Sequence, residues 1–245
     1  MPVNGEKGHR RTQADRSHAT RAALLRSGRA LFAARGFART AREEIVERAG
    51  VTRGALHHHF GTKQELFAAV FEELEGELAA RIATAAMAGV DPRDQLRRGC
   101  HEFLDAALDP AVQRIVLLDA PAVLGWAAWR EVDARYGLGL VTEGLRAVFA
   151  ASHEPRPAGA GGHQQGPAGP GGHEQGPAGP GGHQQGPAGP GGHEQGPARP
   201  VEPLGHLLLA ALNEAAMIVA GAPDPVRSRA EVGAIVDQLL DALTR

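Results

Sequence analysis

Residues 40 to 63, TAREEIVERAGVTRGALHHHFGTK, constrain the fold more than any other part of the chain. Thr40 with Glu43 three positions on has the form of a capping box, and so has Thr62 with Glu65. Gly50 and Gly61 fall where two helices should stop, because glycine accepts the left-handed conformation a helix end needs. Between these signals Ile45, Val46, Ala49, Val51, Leu56 and Phe60 supply one apolar face. Leu56 and Phe60 are four apart, so they point inward together. Arg53, Ala55, His57 and His58 are left pointing outward. The pattern predicts a helix, a tight turn, a second short helix and the start of a third.

Charge agrees with this reading. Residues 1 to 63 hold 13 Lys and Arg against 5 Asp and Glu, a net of +8, whereas the remainder holds 13 against 23. The overall net charge of −2 therefore hides a basic head on an acidic body. A helix that buries one face and shows a basic, hydrogen-bonding face is what a major groove accepts, and a basic segment is a footprint for phosphates.

AGVTRGALHHHFGTKQEL, residues 49 to 66, resembles the TetR-type transcriptional regulators. Ala49, Gly50, Val51, Gly54, Leu56, His59, Phe60, Lys63 and Leu66 fit the family pattern, and Thr52 stands for its usual serine. His57 departs from it, at a position that is usually a phosphate-contacting tyrosine. The resemblance runs from Arg21 to about Leu78. It implies DNA contact from Thr40, Ala41, Arg42, Thr52, Arg53, Gly54, Ala55, His57, His58 and Lys63. Thr40 and Thr52 would cap helices whose amides face phosphates, and Lys63 would clamp a phosphate. Arg53 would read a guanine edge or a phosphate, and the Ala55 methyl would meet a thymine methyl.

Aromatic residues are only 4% of the chain and no segment alternates with period two, so the fold class expected is all-α. The organisation expected is a basic arm over 1–19, a three-helix head over 20–66 with its helix-turn-helix at about 41–60, and a helical-bundle body over 67–245. The first helix is placed at about 20–35 with Gly36 as its stop, and the fourth from Thr62 to about Met87. Asp91-Pro92, Asp109-Pro110 and Asp224-Pro225 should each open a helix, since Asp caps well and Pro suits the first helical position. Body helices are thus expected at about 92–108, 110–123, 126–151, 203–220 and 225–243. LLDAPAVLGWAAWREVDARYG, residues 117 to 137, resembles the C-terminal regulatory domain of one TetR subgroup. The single cysteine, Cys100, excludes an intrachain disulfide framework and suits a reducing cytosol. No signal peptide is visible and no apolar run looks close to the roughly 20 residues that span a bilayer. The chain is therefore expected in the cytoplasm and off the membrane.

A low-complexity insert over 153–201 interrupts the body. Residues 156 to 195 are four copies of a ten-residue unit, three of them reading GPAGPGGH(E/Q)Q. Gly and Pro cannot bury enough apolar surface to offset ordering, so the insert is expected to be disordered. His163, His173, His183 and His193 recur once per unit, and weak zinc or nickel binding is the alternative to simple repeat expansion. A repeat-driven interaction or metal-buffering protein is accordingly the rival reading of the whole chain. Deleting residues 156 to 195 should leave a regulator able to bind DNA and should abolish a repeat-driven activity.

Other chemistry is thin. His57, His58 and His59 are successive on a helix, roughly 100° apart, and cannot converge on one metal ion. Cys100 beside His101 reads either as a thiol sensor or as a core residue. No phosphate loop or catalytic triad stands out, so no enzyme, cofactor or metal is expected. Polar residues on apolar body helices, His101, Asp119, Arg130 and Asn213, with Phe103, Trp126, Trp129 and Met217 as an apolar wall, are the candidate ligand pocket. Leu204, Leu208, Leu212, Ala215 and Val219, with Ile235, Val236 and Leu239, form strips that suit a four-helix homodimer interface or burial within one subunit. The resemblance implies a homodimer on a palindromic double-stranded operator. It also implies a small apolar or amphipathic effector in the body and, most often, repression.

Overall fold

The computed structural model describes residues 12–153 and 200–244, and among these every regular element is helical, as an all-α fold requires. Residues 154–199 of the expected insert, which include all the repeats, and residues 1–11 of the expected arm lie outside the described residues. Helix α1 spans Gln13–Arg35 and starts well before the expected Thr20. Thr12 is the reason: its hydroxyl accepts the Asp15 N–H, and the Asp15 carboxylate accepts the Thr12 N–H at 2.9 Å, a complete capping box. Gly36 ends the helix at φ 77°, and a Cβ there would also overlap the Arg114 guanidinium.

Helices α2 (Arg42–Ala49) and α3 (Arg53–His59) form the expected pair, with Gly50 left-handed at φ 65° between them. Two cap assignments need correction. Thr40 does not cap α2; it is buried, and its hydroxyl donates to the Gly36 carbonyl at 2.8 Å. Ala41 holds the cap position, and the Glu44 carboxylate, not Glu43, accepts the Ala41 N–H at 2.9 Å. Gly61 does not end α3 in a left-handed turn. Phe60 ends it by becoming extended (φ −143°, ψ 107°), which turns its ring into the core. Thr52 caps α3 as expected, accepting the Ala55 N–H at 3.1 Å.

Helix α4 (Lys63–Met87) is capped by Thr62, while the Glu65 carboxylate reaches back past the cap to the Gly61 N–H. Its stripe of Leu66, Phe67, Val70, Phe71, Leu74 and Leu78 is buried. Phe67 meets Phe32 and Phe37 edge-on, each at 5.2 Å between ring centres. Each such fully buried side chain contributes about 1.5–3 kcal/mol.

In the body, α5 (Pro92–Ala106) and α10 (Pro225–Leu243) start at Asp91 and Asp224, which accept the Asp94 and Arg227 N–H groups. The helix expected at 110–123 begins at Pro110 but is π-wound over Val112–Asp119 before α6 (Ala120–Leu124). Pro121 has no N–H to give the Leu117 carbonyl, and the register widens, with the Ala120 N–H on the Ile115 carbonyl. Gly125 at φ 84° then breaks the chain direction. The helix expected over 126–151 is α7 (Trp126–Asp133), a π turn (Ala134–Leu138) and α8 (Gly139–His153). Helix α9 spans Val201–Gly221.

Most side chains expected at a subunit interface are used inside the chain. Leu208, Leu212, Ala215, Val219 and Val236 are buried against α5, α8 and the π-wound segment, and Leu204 is half-buried beside them. Only Ile235 and Leu239 of that set are exposed. The exposed apolar face of α9 lies at Leu207 and Ile218 instead. Helix α9 is apolar enough by length and composition to cross a membrane, with mean hydropathy 1.5 over its most apolar window, contrary to the sequence reading. Only 44% of that window is buried, because the helix carries an inward apolar face and a second, uncovered one.

Candidate functional site

The outward face of α3 is built as its sequence suggests. Leu56 and Phe60 anchor it, and the Arg21 guanidinium lies 4.6 Å from the Phe60 ring centre, tying α1 to the end of α3. Arg53, Gly54, His57 and His58 are exposed and Ala55 is half-buried. Among the described residues Arg53 is held by Glu43 alone, at 3.7 Å, with 78% of its side chain exposed, so it is free to exchange that partner. His59 turns inward; burial, the neighbouring His58 and Arg21 all disfavour its charged form.

Two of the cations expected on the outer surface are engaged in the head. The Arg42 guanidinium donates to the Gly61 and Phe60 carbonyls, at 2.9 and 3.3 Å, and so closes the end of α3. The Lys63 ammonium donates to the Phe37 and Thr40 carbonyls, each at 2.9 Å, and lies 4.1 Å from the Phe37 ring centre. These contacts fasten the α1–α2 turn to the start of α4. Thr40, being buried, has no outward hydroxyl.

The body contains a cavity of about 320 Å³ between α4, α5, α8 and α9. Ligand cavities of this size hold small organic molecules. Of the residues expected to form a pocket, only Phe103 lines it. His101 faces α10, with its ring nitrogens on Asp237 and Arg229 at 2.8 and 3.0 Å. Asp119 accepts the Phe37 N–H at 2.6 Å, and Met217 packs in the upper core. Trp126 is exposed, and Trp129 is buried beside it, 4.8 Å between ring centres. Arg130 and Asn213 act one step behind the cavity: both donate to Oδ2 of Asp133, at 3.1 and 2.9 Å, and Asp133 lines the wall.

The sequence reading missed Glu75, Asp133 and Tyr136, which with Gln95 and Glu143 give the cavity its polar character. A signal for Glu75 was present: it stands four after Phe71 and three before Leu78, on the buried stripe of α4. It is 6% exposed, and burial followed by repulsion from Asp133 pushes its carboxyl up to about 8. Burial also raises Asp133, opposed by Asn213 and Arg130. Cys100 borders the same space, but burial pushes its thiol up to about 12, so no reactive thiolate forms at neutral pH.

Cavity and head are linked by α4, which carries Lys63 in the head and Glu75 in the cavity wall, about 18 Å apart along one helix. Three further contacts join body to head: Asp119 on the Phe37 N–H, the Arg114 guanidinium against Gly36, and Gln64 on the Val123 carbonyl at 2.9 Å.

Comparison with known proteins bears on both parts. Residues 24–70 match the model of bacterial regulatory proteins of the tetR family. Residues 93–156 and 193–243 match that of the tetracyclin repressor-like C-terminal domain, in two stretches that leave out most of the repeats. The chain is 33% identical over 129 residues to the HTH-type transcriptional regulator CymR of Pseudomonas putida, covering 51% of this chain and 63% of that protein. It is 37% identical over 109 residues to the regulator TtgR of Pseudomonas putida, covering 43% and 51%. The chain thus spans between half and two thirds of these relatives' length. A crystal structure of a TetR-family transcriptional regulator from Pectobacterium atrosepticum superposes with a TM-score of 0.68 at 28% identity, covering 95% of this chain and 97% of that one. The two family models cover head and body between them, and the chain belongs to the TetR family of bacterial regulatory proteins.

Proposed function

We propose that this protein is a sequence-specific DNA-binding transcriptional regulator that acts as a homodimer in the cytoplasm, in the manner of a ligand-responsive repressor. The observation that carries the reading is the exposed face of α3. Arg53, His57 and His58 project from a short helix fixed by the Thr52 cap and the buried Leu56 and Phe60, in a head of net positive charge. Thr52, Gly54 and Ala55 complete the contact surface, with Arg53 as the base or phosphate reader. Arg42 and Lys63 act mainly by holding that surface in shape.

Two heads need a fixed spacing to read a palindrome. The uncovered apolar faces of α9 and α10, at Leu207, Ile218, Ile235 and Leu239, suit an isologous contact with a second copy. A small amphipathic molecule in the body cavity shifts the population of head spacings through α4 and the Asp119, Arg114 and Gln64 contacts. For that it must bind the non-DNA arrangement better.

The test is selection and sequencing of random DNA fragments on the purified full chain. A palindromic motif should be enriched, with half-sites about one helical turn apart or a multiple of it. Arg53→Ala should lose that enrichment while retaining the wild-type melting curve. Absence of any enriched palindrome would overturn the proposal.

A further inference from the structure

The cavity wall has an unusual charge balance. Glu75 and Asp133 line it, and Glu143 stands exposed on its border, yet no Lys, Arg or His is among its lining residues. Among the described residues, no protein group donates a hydrogen bond to the Glu75 carboxyl, although Glu75 is only 6% exposed. Burying an unpaired carboxyl costs several kcal/mol if it ionises. Arg130 and Asn213 both bind Oδ2 of Asp133, and among the described residues no group donates to its Oδ1. Gln95 and the Tyr136 hydroxyl are the neutral polar groups of the wall, and the remainder is mostly apolar, including Leu78, Ile82, Leu96, Phe103, Leu140 and Leu212. Two acidic groups therefore share a mostly apolar space; Arg130 of α7 holds Asp133 from behind at Oδ2, and no basic side chain lines the cavity itself.

We propose that the effector of this cavity is an amphipathic organic amine, whose ammonium sits between Glu75 and Asp133 and whose hydrocarbon part fills the apolar wall. This deepens the regulator reading and rests on it for the meaning of the ligand. An ammonium offers three donors, enough for Glu75 and the free Oδ1 of Asp133 together. It also favours ionisation of Glu75 and offsets its repulsion with Asp133 by placing a positive charge beside both. The rings of Phe103 and Tyr136, on the same wall, give the cation aromatic neighbours. An anionic ligand would bring a further negative charge beside Asp133 in the same low-dielectric space. A neutral alcohol would supply no charge to stabilise an ionised Glu75.

The experiment is calorimetric titration of the full chain at pH 8 with three matched probes: 4-phenylbutylamine, 4-phenylbutan-1-ol and 4-phenylbutyrate. The amine should bind wild type at least about tenfold more tightly than the alcohol, with the carboxylate weakest. Glu75→Gln should remove most of that advantage and leave alcohol binding nearly unchanged, and Asp133→Asn should reduce it in the same direction. Melting curves of both variants report folding, and if one fails to fold, the three-probe ranking on wild type still decides. Equal binding of the three probes, an amine affinity unchanged in a folded Glu75→Gln protein, or no amine binding would each overturn the proposal. Tighter binding of the alcohol or the carboxylate would overturn the cation while leaving an effector cavity in place. Fragment selection uses no ligand, so failure of the regulator reading would appear there separately.

Discussion

Replacing Lys63 with alanine separates two roles that the sequence cannot. As a phosphate clamp, Lys63 would affect DNA binding alone: affinity would fall evenly across sequences, and the salt slope would drop by about one. In the structure the ammonium instead donates to the Phe37 and Thr40 carbonyls, each at 2.9 Å, and stands 4.1 Å from the Phe37 ring centre. A hydrogen bond from a charged group contributes about 1.5–3 kcal/mol net when shielded, and a cation over an exposed ring about 0.5–1 kcal/mol. Lys63 is half-buried, so both figures fall toward their lower ends. Losing two such bonds and the ring contact should cost the head about 2–4 kcal/mol. Urea unfolding of the full chain, followed by far-UV circular dichroism, measures it. Fluorescence anisotropy on a selected DNA fragment at several salt concentrations gives the slope. The expected result is a lowered midpoint, with an unchanged salt slope for the binding that remains. A stability within about 0.5 kcal/mol of wild type, together with a slope reduced by one, would refute the reasoning and return Lys63 to the phosphate backbone.

Three further outcomes follow from named contacts. Folded Glu75 keeps its proton up to about 8, whereas the unfolded chain releases it near 4.5, so stability present below pH 4.5 is lost as pH rises to 8. Glu75→Gln should remove that loss, up to roughly 5 kcal/mol across the window, and urea midpoints at pH 5 and 8.5 that move in parallel in both proteins would sink the claim. Asp119→Ala should destabilise by about 1–3 kcal/mol and speed hydrogen exchange at the Phe37 amide; unchanged protection there would show that the head–body contact does not persist in solution. Leu207→Glu with Ile235→Glu should give monomers in sedimentation with helicity intact, because both side chains are exposed, whereas Leu208→Glu should unfold the body; a persisting dimer in the first variant would move the interface elsewhere.

The elements were legible wherever a local signal fixed them. Gly36 and Gly50, Thr52 and Thr62, Asp91 and Asp224 each stop or cap a helix through contacts within four residues, and these ends were placed well. The errors arose where a local rule competed with another contact or with burial. Thr40 has the right spacing to cap α2, but its hydroxyl is taken by the Gly36 carbonyl, and Glu44 supplies the missing acceptor. Gly61 follows a short helix, but burying the Phe60 ring ends that helix by extending the backbone, and no left-handed turn is needed. The inward strip of α9 was correct as a strip, whereas on α10 Val236 turns inward and Ile235 and Leu239 turn outward. Periodicity reports that a face is apolar and not whether the same chain or another copy covers it. Burial resolves this for Leu208 and Leu212, and it leaves Leu207 and Ile218 as the uncovered side.

The cavity was the least legible part, because polar residues were sought by type and not by position. His101, Asp119, Arg130 and Asn213 are polar residues in apolar surroundings, and each has protein partners within hydrogen-bonding distance. A polar side chain satisfied in this way is structural cement. Glu75 differs in having no such partner among the described residues while standing in the buried stripe of α4. The informative sequence feature was thus a charge at a core position, four after Phe71. Its meaning depended on Asp133, 58 positions further on, reaching the same wall through the widened turn that starts at Ala134. Juxtaposition of that kind is set by how α4 packs against α7 and α8, so it became visible only when the helices were assembled.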